Sequence, residues 1–233
     1  MKYNAQFCML LFTMCACAEV KSSAINTDGM YANFDLYVEG SLVKASASFK
    51  VGDAISNTYI ELDPADTVSA SNTTESMALT HAELFNAHVY NGVFTVTEPD
   101  AEYTFALNRE NETSAPNSTV SLPMGIQITT PSNNSTYSLS SGSAIEIKWE
   151  NRTEDLINVE MSGDCVNYFS TGEITDSAAF TIVGSDITPD EPIGGCDATI
   201  TVERLRQGNI DPAYEDGSVK ARQTVTITLQ IDP

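Results

Sequence analysis

The sequence predicts an all-β protein. Ser and Thr are abundant, Lys is scarce, and no long stretch shows helical periodicity. Runs such as TVTITLQI, residues 224–231, alternate Thr with branched apolar residues, which is the pattern of a strand buried on one face. Hydrophobic residues make up 42% of the 233 residues, enough for a packed core in two ordinary domains or one large β domain.

The amino terminus predicts a cleaved signal peptide. Lys2 precedes an uncharged apolar run at residues 7–16, which is shorter than the ~20 residues that span a bilayer. The run MCAC, residues 14–17, resembles a bacterial lipobox, which implies that residues 1–16 are removed and Cys17 is lipidated. The overlapping ACA pattern allows cleavage after Ala18 instead, and the protein would then be secreted or periplasmic and soluble.

The remaining chain divides into segments by composition. We expect a tether at residues 17–28, a β-sandwich at 29–110, a linker at 111–123 and a second β-sandwich at 124–233. The linker is assigned because the segment is dense in Asn, Ser, Thr and Pro. Within the first sandwich, Asn91-Gly92 between two strand-like runs predicts a hairpin turn.

Two stretches resemble immunoglobulin-like modules. Residues 128–151 run strand, Pro, polar loop, Gly and a strand ending at Trp149. Tyr103, in DAEYTFALNR, occupies the place of the tyrosine-corner residue of fibronectin type III and Ig domains. With the lipobox-like run, the chain resembles bacterial surface lipoproteins that carry tandem Ig-like sandwiches. That resemblance concerns fold and does not imply an activity.

Cys165 and Cys196 are predicted to form a disulfide. Signal-peptide removal, with Cys17 lipidated or lost, leaves these two cysteines as an even pair in an oxidising compartment. In an Ig-like topology they would lie at the end of strand C and the start of strand F, which are antiparallel neighbours.

The charge and the motifs exclude several functions. A formal net charge of -21 repels phosphate backbones, so no nucleic-acid partner is expected. The sequence has no nucleophile elbow, phosphate-binding Gly loop or dinucleotide fingerprint, so we expect no enzyme. His81 and His88 are seven residues apart and would point to opposite faces of one continuous strand, which disfavours a shared metal ion.

Calcium is the cofactor that the acidic loops allow. Carboxylates cluster at Asp186, Asp190 and Glu191 and again at Asp211 and Asp216, and Ca²⁺ accepts such oxygen donors. The same residues are equally typical of turns between strands, and none of the loops has the spacing of a calcium-binding loop.

These observations predict a non-enzymatic lipoprotein of the bacterial cell envelope, acting as a binding, adhesion or spacer module. Its partner would be an envelope or extracellular protein or glycan, with membrane contact through the lipid alone. The alternative is a secreted module that binds carbohydrate or Ca²⁺, with Trp149 or surface Tyr residues stacking on sugar. Trp149 shares a strand face with Ile145 and Ile147, so we expect it to be buried instead.

Overall fold

The structure is a computed structural model that describes residues 20–95, 98–138, 143–188 and 194–232. Its described residues are almost entirely strands and turns, which confirms the all-β class. The strands of the first half are β1 (Val20–Lys21), β2 (Met30–Glu39), β3 (Leu42–Val51), β4 (Ile60–Glu61), β5 (Thr67–Ser71), β6 (Ser76–Ala78), β7 (Thr80–Leu84), β8 (Ala87–Phe94), β9 (Glu102–Asn108) and β10 (Ala115–Ser121).

The second half continues in the same way. Its strands are β11 (Ile128–Thr130), β12 (Ser135–Ser138), β13 (Ala144–Trp149), β14 (Leu156–Gly163), β15 (Phe169–Ser170), β16 (Ile174–Thr175), β17 (Ala179–Val183), β18 (Cys196–Gln207) and β19 (Asp216–Asp232). Short 3₁₀ turns lie at Ser22–Ala24 and Thr27–Gly29, and one helical turn, α1, at Gly184–Ile187. No described helix is long and apolar enough to cross a membrane.

One large sheet runs through both halves. Its strand order is β15-β14-β18-β19-β2-β3-β8-β7, with β12 beside β19 and β16 beside β14. A four-stranded sheet, β10-β9-β5-β6, supplies the opposing layer of the first half, and a three-stranded sheet, β11-β13-β17, supplies that of the second. The short β1 pairs with β4.

The first core lies between the large sheet and the four-stranded sheet. Alternate residues of β2 point inward, and Phe34 stacks on Phe105 of β9 with ring centroids 4.7 Å apart. Tyr103 is buried in β9 with its ring edge against Phe94. Burying each such aromatic side chain contributes about 1.5–3 kcal/mol, so this layer supplies much of the stability of the first half.

The second core lies between the large sheet and the three-stranded sheet. Trp149 is buried there, as predicted, together with alternating aliphatic residues of β14, β18 and β19. The two cores thus have separate opposing layers and share the large sheet.

Strand β19 belongs to both cores. Residues 216–222 pair in parallel with residues 31–37 of β2, and residues 229–232 pair in parallel with β12. Because side chains alternate with a period of two, Val219 and Ala221 enter the first core while Leu229 and Ile231 enter the second from the same face. Its antiparallel neighbour β18 pairs with it from Cys196 to Gln207.

Arg204, which is buried, and Arg206, which is partly exposed, organise the polar contacts where the two halves meet, and neither role was predicted from the sequence. Arg204 is fully buried, pairs with Asp176 at 2.8 Å and donates to the backbone carbonyls of Met124 and Asn151. Arg206 binds Asp155 with two hydrogen bonds.

Arg206 also connects the two halves of the chain. It donates to Asp100 and to the carbonyl of Leu122, in addition to Asp155 at the start of β14. These carboxylates raise the pKa of its guanidinium above the ordinary value, against the opposing effect of burial. The residue therefore stays charged across the whole working pH range.

The expected linker, residues 111–123, contains strand β10, which differs from the prediction. The strand pairs with β9, and its Ala115, Ser118 and Val120 are buried. The buried hydroxyl of Ser118 accepts the backbone N–H of Asp211, so a polar composition is compatible with burial here. The polar composition suggested a linker. The segment forms a strand because its polar groups are hydrogen-bonded to the loop at Asp211, which is distant in sequence.

The described part of the expected tether, residues 20–28, packs against the first half of the chain, which differs from the prediction. Ser22 and Thr27 are buried, and Arg109 donates to the carbonyl of Ser22 and to the hydroxyl of Thr27. Arg109 in turn pairs with Asp66 at 3.1 Å. The described part of this segment is therefore fixed to the first half of the chain.

The predicted hairpin turn at Asn91-Gly92 is wrong. Both residues lie inside β8, and the turn between β7 and β8 is formed by Phe85 and Asn86, whose φ angles are 50° and 65°. Gly92 serves a packing role: a Cβ there would lie 2.6 Å from the Leu79 side chain. The missing Cβ leaves room for the side chains of Leu79 and Met77.

A Gly208→Ala substitution tests the contact between β10 and the end of β18. A Cβ at Gly208 would lie 2.1 Å from the carbonyl oxygen of Thr119, and this oxygen belongs to a reciprocal pair of backbone hydrogen bonds with Asn209. We expect the free energy of unfolding, measured by urea denaturation, to fall by about 3 kcal/mol. Gly194→Ala, where a Cβ meets open space, is the control and should change it by less than about 0.5 kcal/mol. Equal effects of the two substitutions would contradict this packing.

An Asp176→Asn substitution tests the buried ion pair through its pH dependence. Burial would raise the pKa of Asp176, but hydrogen bonds from Ala178, Trp149 and Thr153 and the charge of Arg204 outweigh it and lower the pKa. A lowered pKa stabilises the fold above the unfolded-state pKa of about 4, and this contribution disappears as the pH falls through the folded-state pKa.

We therefore expect Asp176→Asn to cost about 3 kcal/mol at neutral pH, because Arg204 stays buried without a counter-charge. The difference between variant and wild type should shrink in urea titrations at about pH 3. A difference that stayed constant over this pH range would show that the charge of Asp176 does not stabilise the fold.

Candidate functional site: the strand-fork cleft

A cleft opens where β19 loses β2 as its neighbour. The last paired residues are Tyr37 and Arg222, after which β2 continues beside β3 while β19 continues beside β18. We call the opening the strand-fork cleft. It has a volume of about 350 Å³ and is lined by Asp35, Tyr37, Val38, Ser46, Glu203, Arg222 and Thr224.

The alternation of the strands brings all of these side chains except Val38, which packs against the first core, to one face. The large sheet turns Phe34 and Leu36 inward, so Asp35 and Tyr37 point outward. Paired residues of neighbouring strands share a face, and Ser46 is paired with Asp35. The site therefore lies on the outer face of the sheet, opposite the cores.

Arg222 and Asp35 form the polar centre of the cleft. Arg222 Nη2 donates to Asp35 Oδ1 at 2.7 Å, and Asn33 Nδ2 donates to Asp35 Oδ2 at 2.8 Å. Arg222 Nε is buried and has no acceptor among the described residues. A buried N–H without an acceptor costs about 1–3 kcal/mol, so a turn of the guanidinium that brings this N–H to a ligand oxygen in the cleft would be favourable.

Tyr37 supplies an aromatic surface beside this centre. Its side chain is 41% exposed, and the ammonium group of Lys44 lies 5.7 Å from the ring centroid. Lys44 also forms an ion pair with Glu39. A hydrogen bond from Lys44 to Glu39 raises the pKa of the lysine, so it remains a cation next to the ring.

Glu203 and Thr224 complete the far wall, which comes from the β18–β19 hairpin. The Thr224 hydroxyl is 3.5 Å from Glu203 Oε2, at the outer limit of a hydrogen bond. Both groups are therefore available to a ligand. The cleft combines one phenol ring, one guanidinium, two carboxylates and two aliphatic hydroxyls within a small volume.

The predicted disulfide is confirmed. Cys165 follows β14 and Cys196 begins β18, and their Cα atoms are 5.7 Å apart. Gly163 of β14 pairs with Ala198 of β18, so the bridge joins antiparallel neighbours as expected. It lies at the opposite end of the β18–β19 hairpin from the strand-fork cleft.

The residues proposed for calcium have different surroundings. Asp211 is buried, and its carboxylate accepts the backbone N–H groups of Asn117 and Ala213. Asp216 accepts the N–H of Gly217, and Asp186 lies in the first turn of α1. Within residues 20–95, 98–138, 143–188 and 194–232, no three His, Cys, Asp or Glu side chains are arranged to hold a metal ion.

The other predicted site residues lie outside the described residues. These are Asp190 and Glu191 of the second-half loop, and Cys17 with the whole of residues 1–16. The prediction that Trp149 is buried is confirmed: its indole N–H donates to Asp176 at 2.9 Å. Trp149 is therefore not a surface for stacking on sugar.

The cleft was not predicted from the sequence. The run YANFDLY, residues 31–37, already indicated that Tyr31, Asn33, Asp35 and Tyr37 share an outward face. Nothing local indicated that Arg222, 187 residues after Asp35, would lie beside them. Parallel pairing of such distant segments leaves no signature in either segment alone.

The chain matches no established protein family and no curated protein in sequence. Among solved structures, it is similar to Dpr11 IG1 bound to DIP-gamma IG+IG2, at 8% identity over 87% of this chain and 95% of that one, with a TM-score of 0.23.

Two bacterial structures match at the same level. One is the Yersinia pseudotuberculosis adhesin InvE, which has 12% identity, a TM-score of 0.24 and coverage of 88% of this chain and 59% of that one. The other is Bacteroides ovatus SGBP-B in complex with a mixed-linkage heptasaccharide, which has 10% identity, a TM-score of 0.23 and coverage of 84% of this chain and 55% of that one. The chain thus spans less than two thirds of both. TM-scores this low carry no argument about this chain, so its sandwich architecture rests on strand pairing and burial alone.

Proposed function

We propose that the chain is a non-enzymatic binding module that takes a neutral, hydroxyl-rich glycan in the strand-fork cleft. The observation that carries this proposal is the unpaired Arg222 Nε beside the exposed ring of Tyr37. A sugar offers hydroxyl oxygens as acceptors for the guanidinium and apolar C–H faces for the aromatic ring.

The charges of the cleft favour a neutral glycan over an acidic one. Glu203 and Asp35 contribute two carboxylates against the single guanidinium of Arg222. Carboxylates accept hydrogen bonds from sugar hydroxyls, but they repel uronic or sialic acids, as does the net charge of -21.

The size of the cleft suits a short segment of a glycan. Its volume of about 350 Å³ is at the lower end of the ~300–1,000 Å³ that ligand sites occupy. Tyr37 and Arg222 sit on strands that pair along their length, so the site is largely formed before the ligand arrives, which reduces the entropy cost of binding.

Substitution of the two central residues tests this function. We expect Tyr37→Ala and Arg222→Ala each to weaken binding of a neutral oligosaccharide, found by glycan array, at least about tenfold in isothermal titration calorimetry. Tyr168→Ala removes another exposed Tyr, 65% exposed and outside the cleft, and should bind as the wild type does. Binding only of acidic glycans, or of neutral glycans equally well by Tyr37→Ala, would contradict the assignment.

We also propose that the module is anchored to the bacterial cell envelope by lipid on Cys17. The packing of the following residues supports a particular placement. Val20 already pairs with Ile60, so at most about 11 Å of extended chain separates Cys17 from the folded body. An acylated chain would therefore hold the first half directly at the membrane surface, without the tether that the composition suggested.

A Cys17→Ser substitution tests the anchor. The wild-type protein should fractionate with membranes and begin at a diacylated or triacylated Cys17 by intact mass, because several buried acyl chains give stable anchorage. The variant should be recovered in the soluble fraction. A wild-type mature chain that begins at Glu19 without lipid would contradict the proposal and support the secreted alternative.

A further inference from the structure

The two histidines of the chain meet at the edge of the large sheet. The β7–β8 hairpin folds the chain back on itself, so His81 and His88 fall on the same face although one continuous strand would separate them. His81 Nε2 lies 3.0 Å from His88 Nδ1. The objection to a shared ion that held for a single strand does not hold for a hairpin.

The two rings meet edge to edge. Their centroids are 5.2 Å apart, only 2.2 Å more than the N···N distance, so both nitrogens lie close to the line between the centroids. Despite the small angle of 19° between the ring planes, the rings are therefore nearly coplanar and joined by one N–H···N hydrogen bond, and are not stacked face to face.

The two nitrogens are 3.0 Å apart, the separation of two ligands on one metal ion, but they face each other, so the exposed His81 ring has to swing off the line between the ring centroids to admit an ion. Ions such as Zn²⁺ hold imidazole nitrogen at about 2.0–2.1 Å, so two such ligands at a right angle or a tetrahedral angle lie about 3.0–3.4 Å apart. We propose that His81 and His88 chelate a divalent transition-metal ion of the Zn²⁺ or Cu²⁺ type, which replaces the proton shared between the rings.

The surroundings of the pair give one fixed and one adjustable ligand. His88 is 4% exposed, while His81 is exposed and can tilt so that both lone pairs meet at a common point. The ring of Tyr90 lies 5.2 Å from that of His81, and the Tyr90 hydroxyl accepts the N–H of Leu62. The hydrogen bond from Leu62 fixes the Tyr90 ring behind the pair, while His81 itself stays free to tilt.

Glu83 is the carboxylate that would complete the site, and it has to rotate to do so because its side chain is not placed with the two histidines among the described residues. It is directly opposite His88 in the β7–β8 register, which places the two Cβ atoms about 4.5–5.5 Å apart. Its side chain is exposed, so it can rotate toward an ion that the two imidazoles have bound. Two His and one carboxylate, with water in the fourth position, is an established set of zinc ligands.

Imidazole ligands also make the site selective for Zn²⁺ and Cu²⁺ over the Ca²⁺ and Mg²⁺ ions that the acidic surface attracts. Ca²⁺ and Mg²⁺ prefer oxygen ligands, whereas imidazole suits Zn²⁺ and Cu²⁺, with Cu²⁺ the tightest of the divalent series. Binding at the hairpin should therefore persist when Ca²⁺ is in large excess.

The experiment is electron paramagnetic resonance of one equivalent of Cu²⁺ added to the full chain, with Ca²⁺ in excess, and calorimetry with Zn²⁺ under the same conditions. We expect the Cu²⁺ spectrum to show coupling to two nitrogens in the wild type and to fewer in His81→Ala. The Zn²⁺ affinity of His81→Ala should be at least about tenfold lower than that of the wild type. Glu83→Gln should retain both nitrogens and bind Zn²⁺ more weakly.

Thr80→Ala is the matched control, because Thr80 is exposed on the same strand and points to the other face. It should behave as the wild type. His81 is exposed, so its replacement leaves the core intact, and thermal unfolding in a chelator should confirm this. A copper spectrum without nitrogen coupling, or Zn²⁺ affinity unchanged in His81→Ala, would overturn the proposal.

Discussion

The pairing of β18 with β19 is the constraint on which the rest of the structure depends. Twelve residues of β18 are matched to β19 without a break in register. A strand shows the same face to the core for its whole length because side chains alternate with a period of two. This lets a single hairpin provide the walls of two separate cores, with Val219 in one and Leu229 in the other.

The inward face of β18 changes from apolar to charged along the strand. Ala198, Ile200 and Val202 fill the second core, and the next two inward positions are Arg204 and Arg206. Their guanidinium groups satisfy the carbonyls of the segment that connects the two halves and the buried Asp176. Buried ion pairs add little net stability compared with apolar packing, but breaking one is costly. They fix how the halves join, and the outer side of that junction is the strand-fork cleft.

The sequence predicted what local pattern determines. The alternation in residues 31–37 and 224–231, the burial of Trp149 and the pairing of Cys165 with Cys196 all follow from short-range rules combined with the Ig-like resemblance. The predictions of a hairpin turn at Asn91-Gly92 and of a linker at residues 111–123 were wrong because contacts with other segments determine the structure there. Gly92 is needed for packing and not for a turn, and the polar β10 is stabilised by the loop at Asp211.

The candidate sites depend on the same long-range contacts. Arg222 reaches Asp35 only because β19 adds in parallel to β2, and His81 reaches His88 only because the turn falls at Phe85-Asn86. Neither the strand-fork cleft nor the histidine pair was predicted, because the acidic composition of the chain favoured a prediction of carboxylate sites for calcium. Cations and histidines that are few in number are informative when the fold brings them together.

The most direct test of the shared hairpin is native-state hydrogen exchange of the full chain in increasing urea. Because β19 is a wall of both cores, amides of Phe34 and Ala47 in the first and of Val159 and Val202 in the second should exchange with one common free energy and one common urea dependence. Two distinct free energies, with one core exchanging while the other stays protected, would contradict the account and show that the halves fold independently.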